Sequence, residues 1–228
     1  MKKDILQIAH RGNSQYYKDN SKQAITSAII EGFSMIEIDI QLCKSGEIIL
    51  YHDTYIKYEM IEDMSYSQIV EVDNDIMKLE EVFDISGISN VKIYLDLKGS
   101  LTLVNAIIKF LNGGRSNPDI IFNNIYIASF DLEHIEQLYN YFPSISYGFI
   151  TGNNFDSNIY YSIVERKYIH FFSIFWTVLN HKTCKILKNM GVKIFTYTCE
   201  NNIILNQMLS YNIDGIVTNY KILFENKA

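Results

Sequence analysis

At 228 residues the chain is long enough for one large α/β domain, and its 48% hydrophobic content supplies a sizeable core. A net charge of −6 excludes the broad basic face that nucleic acid or an anionic membrane requires, so a phosphate-bearing ligand has to be held by a local cluster. Cys43, Cys184 and Cys199 are odd in number and widely spaced, which argues against both a zinc motif and a disulfide framework and fits a reducing compartment.

The first predicted strand, residues 5–9, runs directly into His10 and leaves no room for an apolar signal region before it. No stretch approaches the ~18 apolar residues of a membrane span, so a soluble, cytoplasmic protein is expected. Asn20-Ser21 opens the first helix, with Ala24, Ile25, Ala28 and Ile29 on its inner face. Further strands are predicted at 35–40, 91–97, 125–129, 145–150, 170–175, 193–198 and 215–218, each a short run rich in β-branched and aromatic residues. Between them lie helical stretches at 79–85, 101–111, 132–141, 158–166, 181–190 and 203–210. Residues 113–118, Gly-Gly-Arg-Ser-Asn-Pro, form the most loop-like stretch. Continuous apolar strands alternating with helices imply a parallel sheet covered by helices. Eight such units without a linker predict a (β/α)8 TIM barrel, a single domain over residues 1–228 with a small insertion at about 53–90 after strand 2.

One segment breaks the alternation. Residues 47–51 read as a strand, yet only six residues separate them from the second strand, too few for a parallel crossover. An antiparallel hairpin with a two-residue Ser45-Gly46 turn is expected, in which paired positions sum to about 91 and His52 returns opposite Asp39.

The chemistry-bearing residues gather at the predicted strand ends. Glu37 and Asp39 are two apart on one strand and share a face. Asp96 and Lys98 repeat that spacing on the next barrel strand. Buried carboxylates need a partner, and three of them with no thiolate favour a hard divalent cation, Mg2+ or Ca2+. His10 ends the first strand, where barrel enzymes place catalytic groups. Gly12 allows a tight turn, and Arg11 can fork onto a phosphate. His10 and His52 beside a metal-held phosphate are suited to serve as general base and general acid. His134, His170 and His181 fall in helical or mid-strand contexts and read as structural or solvent-exposed.

These residues resemble the glycerophosphodiester phosphodiesterase family. The resemblance is carried by Ala9-His10-Arg11-Gly12, Asp19-Asn20, Glu37-Ile38-Asp39 and His52-Asp53, then by Leu79-Glu80-Glu81-Val82, Asp96-Leu97-Lys98, Ser129-Phe130-Asp131 and Asp214-Gly215-Ile216-Val217-Thr218. It implies a (β/α)8 barrel, Glu37, Asp39 and Asp96 as metal ligands, and His10 and His52 as the acid/base pair. It also implies Arg11, Lys98 and Tyr197 as substrate-binding residues. The chain departs from the family pattern at Asp19 and Asp96, where the family has Glu, and at Tyr197, Glu200 and Asn219, where it has Trp, Asn and Asp. The implied reaction takes a small-molecule glycerophosphodiester to glycerol 3-phosphate and an alcohol, through water or through the neighbouring glycerol hydroxyl. Two rivals keep the scaffold: lysophospholipase D-like cleavage of a lysophospholipid, for which Phe171, Phe172, Phe175 and Trp176 offer apolar surface, and a non-catalytic phosphodiester-binding protein.

Overall fold

A computed structural model describes residues 5–113 and 124–223. Its sheet runs in the order β1 (Leu6–His10), β11 (Gly215–Thr218), β10 (Lys193–Cys199), β9 (Phe171–Phe175), β8 (Ser146–Thr151), β7 (Ile125–Ser129), β6 (Lys92–Leu97) and β2 (Met35–Leu42), and β1 pairs back onto β2. All eight pairings around this ring are parallel, so the sheet is a closed (β/α)8 barrel. Each of the eight strands lies within two residues of its expected limits. Of the loop-like stretch at 113–118, residues 114 onward lie outside the described residues; Gly113 closes the helix Thr102–Asn112.

Side chains that are polar and local in sequence start most of the helices. Ser21 accepts from the Ala24 amide to open Lys22–Ile30, Asn180 accepts from Thr183 to open His181–Asn189, and Asn201 accepts from Ile203 and Ile204 to open Asn202–Leu209. The covering face of these helices meets the outward residues of the strands in one continuous apolar layer, which includes Ile36, Ile38, Ile93, Leu95, Ile127, Phe172, Ile194 and Ile216. The opposite strand faces fill the barrel interior with Ile8, Met35, Tyr94, Tyr126, Phe171, Phe195 and Val217. The alternation of Ile8 inward and Ala9 outward, or Phe171 inward and Phe172 outward, is the period-2 pattern of a strand with two buried faces.

Phe171 is the hub of the interior. Its ring centroid lies 4.7 Å from Phe195, 5.5 Å from Tyr94 and 5.9 Å from Tyr126. Gly148 on the neighbouring strand makes the room, since a Cβ there would stand 2.1 Å from the Phe171 ring. Phe171→Ala is therefore expected to cost about 3–5 kcal/mol of stability, read from the urea midpoint at unchanged m-value.

The hairpin corrects one expectation. β3 (Ile48–Leu50) does run antiparallel to β2, but Ile40 pairs with Leu50 and Leu42 with Ile48. The register is one residue short of that expected, and Tyr51, whose amide donates to the Asp39 carbonyl at 3.2 Å, stands where His52 was placed. The reason lies in the turn. Cys43 N donates to Glu47 O and Gly46 N to Cys43 O, enclosing a three-residue loop, Lys44 to Gly46, with Gly46 at φ +99°. A left-handed glycine in third place makes this loop a tight turn with a bulge instead of a two-residue turn.

After β3 the chain forms a small ribbon, β4 (Tyr55–Ile56) and β5 (Glu59–Met60), and a helix at Tyr66–Val72. Neither was expected, although Ser65 and Gln68 make a full capping box at the start of that helix. Cys43, Ile49, Ile56, Ile61, Met64, Ile69 and Ile76 close a satellite core between this insertion and the hairpin. The expected helix at 79–85 is confined to Leu79–Val82. Among the described residues no helix is long and apolar enough to cross a membrane. All three cysteines are buried and unpaired with one another.

Candidate active site

The C-terminal ends of the barrel strands surround a cavity of about 460 Å³, lined by His10, Arg11, Glu37, Asp39, His52, Asp96, Lys98 and Tyr197 among others. The three acids, both histidines, Arg11, Lys98 and Tyr197 thus reach one space. The strand registry brings them there: His10 stands beside Glu37 across β1 and β2, and Asp39 beside Asp96 across β2 and β6.

Glu37, Asp39 and Asp96 are all buried, and a carboxylate oxygen from each lies within 4.8 Å of the others. Two cations stand against these three charges. Lys98 Nζ is 2.7 Å from Asp96 Oδ2 and 3.3 Å from Asp39 Oδ1, and Arg11 Nε is 2.9 Å from Asp39 Oδ2. Burial works to raise Asp39, but Lys98, Arg11 and a hydrogen bond from Asn20 outweigh it and hold the group below the usual carboxylate range. Glu37 is pushed well up by burial and by the Asp39 and Asp96 charges. Asp96 rises to about 7, again chiefly through burial, against the pull of Lys98. The sealed Asp96 Oδ1 has no hydrogen-bond partner among the described residues. Three buried carboxyl groups that resist ionising together, one of them with an orphaned oxygen, are what a bound cation would relieve, and three hard oxygen donors suit Mg2+ or Ca2+. The residues fit such an ion, with Asp96 reaching the cluster despite its short side chain.

The loop between β1 and the first helix locks the acids in place. Arg11, at φ +56°, donates its backbone amide to Glu37 Oε2 at 2.9 Å and its Nη1 to Asp19 at 2.7 Å. Asn20 brackets Asp39: its Nδ2 donates to Oδ2 at 2.9 Å, and its Oδ1 accepts from the Asp39 amide at 3.1 Å. Gly12 is required here on two counts, a φ of +82° and a would-be Cβ only 2.6 Å from the Ala24 backbone. The Asp19-Asn20 pair therefore has a physical role that no helix-start signal reveals.

The two histidines differ in setting. His10 is largely enclosed; burial and the Arg11 charge lower its pKa to about 4, so it is neutral at physiological pH. Its Nδ1 lies 2.6 Å from Asn219 Oδ1. His52 is more exposed and pairs through Nδ1 with Asp53 Oδ1 at 2.7 Å. It sits just beyond the end of β3, in a bend held by the buried Gln41, whose Nε2 donates to the carbonyls of both Tyr51 and Asp53. Neither this clamp nor the Asn20 bracket is legible in the sequence, because a polar side chain on one element gives no local signal of a partner ten or more residues away. Gln41→Leu is expected to lower kcat roughly 10–100-fold by loosening His52, with a melting temperature within a few degrees of wild type. His134 bonds Ser129 Oγ at 3.0 Å, His170 accepts from the Tyr147 amide at 3.0 Å, and His181 packs on Tyr211; none lines the cavity.

Aromatic residues border the opening. Phe175, at the end of β9, is 36% exposed and its ring lies tilted 5.5 Å from that of Tyr197, while Phe130 is 51% exposed and lies under Lys98. The rest of the β9 run is absorbed by packing, with Phe171 inside the barrel and Phe172 beneath the helices.

A (β/α)8 barrel with a buried acidic triad, two histidines and two flanking cations at its C-terminal mouth is a setting suited to phosphoric diester hydrolysis. Residues 10–222 match the family model described as the glycerophosphoryl diester phosphodiesterase family, and the chain belongs to that family. It is 24% identical over 232 residues to the glycerophosphodiester phosphodiesterase of Caldanaerobacter subterraneus subsp. tengcongensis, covering 93% of each chain. Its fold matches the glycerophosphodiester phosphodiesterase of Thermotoga maritima with a TM-score of 0.80 at 22% identity, over 96% of both chains. It also matches an Oleispira antarctica phosphodiesterase solved with the product sn-glycerol-3-phosphate, with a TM-score of 0.77 at 17% identity, over 94% of this chain and 92% of that one.

Proposed function

We propose that this chain hydrolyses glycerophosphodiesters to glycerol 3-phosphate and an alcohol, with His10 as general base and His52 as general acid. The observation that carries this reading is the convergence of both histidines, three buried carboxylates, Arg11 and Lys98 on one cavity. Glu37, Asp39 and Asp96 would hold a divalent cation, Mg2+ or Ca2+, which when bound neutralises negative charge on the phosphodiester. Arg11 and Lys98 bind and orient the remaining phosphate oxygens, where fixed cations in a water-poor site stabilise charge as it develops. Tyr197 supplies a ring against which the glycerol carbons pack.

His10 suits the base because burial keeps it neutral and therefore able to accept a proton. It takes one from the attacking oxygen, whether of water or of the neighbouring glycerol hydroxyl. His52 suits the acid because its Nδ1 is held by Asp53, which orients the ring at the cavity mouth. It delivers a proton to the departing alcohol, whose alkoxide is too basic to leave unaided.

A second reading has an observation of its own. Exposed Phe130 and Phe175 at the cavity edge give apolar surface on which a lysophospholipid acyl chain could lie. The two are separated by assaying glycerophosphocholine and lysophosphatidylcholine side by side, each with Mg2+, Ca2+ or chelator. The proposal expects kcat/KM at least tenfold higher for glycerophosphocholine; the reverse ratio transfers the site to lysophospholipids.

A further inference from the structure

The structure assigns Asn219 as the positioning residue that fixes the tautomer of His10, so that the nitrogen carrying the lone pair faces the substrate. This inference rests on the reading of His10 as general base. A neutral imidazole has one protonated and one unprotonated nitrogen, and only the latter accepts a proton. Both tautomers are open to a histidine in water, so a base that has to present one particular nitrogen needs a partner on the other.

Asn219 provides that partner. Its Oδ1 lies 2.6 Å from His10 Nδ1, and an amide oxygen only accepts, so Nδ1 carries the hydrogen and Nε2 the lone pair. Among the described residues no protein group bonds Nε2. The two residues meet through the barrel registry, since Ala9 pairs with Thr218 and the next positions, His10 and Asn219, emerge together at the strand ends.

The Asn219 backbone is held from both sides. Asn219 N donates to the Cys199 carbonyl at 3.3 Å, and its carbonyl accepts from Gln15 N at 3.1 Å. Fully buried Thr218 just before it bonds the Cys199 and Tyr220 carbonyls through Oγ1. Such anchoring fixes the strand end from which Oδ1 reaches the imidazole of His10. Because the acceptor is neutral, it sets the tautomer without adding charge to a mouth that already holds three carboxylates.

The test combines kinetics with the ring's own signature. Asn219→Ala is expected to lower kcat about 10–100-fold with KM changed less than threefold. Asn219→Asp, which keeps an acceptor at the same reach, is expected to retain kcat within tenfold of wild type. The 15N spectrum of labelled protein, with the His10 signals identified by their loss in His10→Ala, should show the neutral ring protonated at Nδ1 in wild type. In Asn219→Ala the form protonated at Nε2 should appear. A wild-type ring protonated at Nε2 overturns the inference, as does an Asn219→Ala enzyme with unchanged kcat. If the wild type cleaves no diester, the functional reading fails on its own, and the tautomer spectrum still decides this inference.

Discussion

His10→Ala is expected to lower kcat by about 10²–10⁴-fold, the range for loss of a positioned acid or base, with KM for glycerophosphocholine nearly unchanged. The phosphate contacts assigned to Arg11 and Lys98 survive the substitution, so ground-state binding is retained while proton transfer is lost. His52→Ala should fall in the same range for substrates with an alkyl alcohol leaving group. With p-nitrophenol as the leaving group, whose conjugate base needs little proton assistance, the His52→Ala defect should shrink and the His10→Ala defect should persist. Stopped assays over a series of leaving groups measure both, and equal sensitivity of the two variants would contradict the division of roles.

Glu37→Gln is the second large effect, and it should act in opposite directions on catalysis and on stability. Glu37 is buried beside Asp39 and Asp96, and its carboxyl is held well above the ordinary range. An acid whose folded pKa exceeds its unfolded value destabilises the fold at pH values above the unfolded pKa, and the penalty fades as pH falls below it. Without added metal at neutral pH, Glu37→Gln should therefore be at least as stable as wild type, since the amide keeps an acceptor for Arg11 N. With metal the order reverses. A cation at one hundred times its dissociation constant adds about 2.7 kcal/mol to the wild type, and the variant should gain little of it. Loss of a cation's charge stabilisation, several kcal/mol, corresponds to roughly 10²–10⁴-fold in kcat/KM. Thermal melts with and without Mg2+ or Ca2+, paired with turnover, check both halves. A variant stabilised by metal as strongly as the wild type would remove Glu37 from the ligand set.

The barrel was legible because its strands are buried on both faces and its helices announce themselves by period and cap; runs such as residues 35–40 or 125–129 have no other stable use. The acidic cluster was legible for a related reason. Glu37 and Asp39 interrupt an apolar strand, and charge in such a place needs a purpose. What the sequence hid depends on backbone geometry or on long-range partners. One left-handed glycine, Gly46, lengthens the hairpin turn by a residue and shifts its register, so that Tyr51 and not His52 faces Asp39. Gln41 grips the His52 bend, Asn20 brackets Asp39, and Asn219 meets His10 across 209 positions of chain. Their chemistry exists only once the barrel closes. The insertion helix at Tyr66–Val72 is a different case, since its Ser65-x-x-Gln68 capping box is a local signal that stands in the sequence.

The most direct test of the account is the rate of glycerol 3-phosphate release from glycerophosphocholine by purified protein, first stripped with chelator and then given back Mg2+ or Ca2+. The account predicts negligible release after stripping and recovery on adding the ion, with no recovery in His10→Ala. Undiminished release after complete stripping would contradict the role given to Glu37, Asp39 and Asp96, and no release by the wild type under any of these conditions would contradict the activity itself.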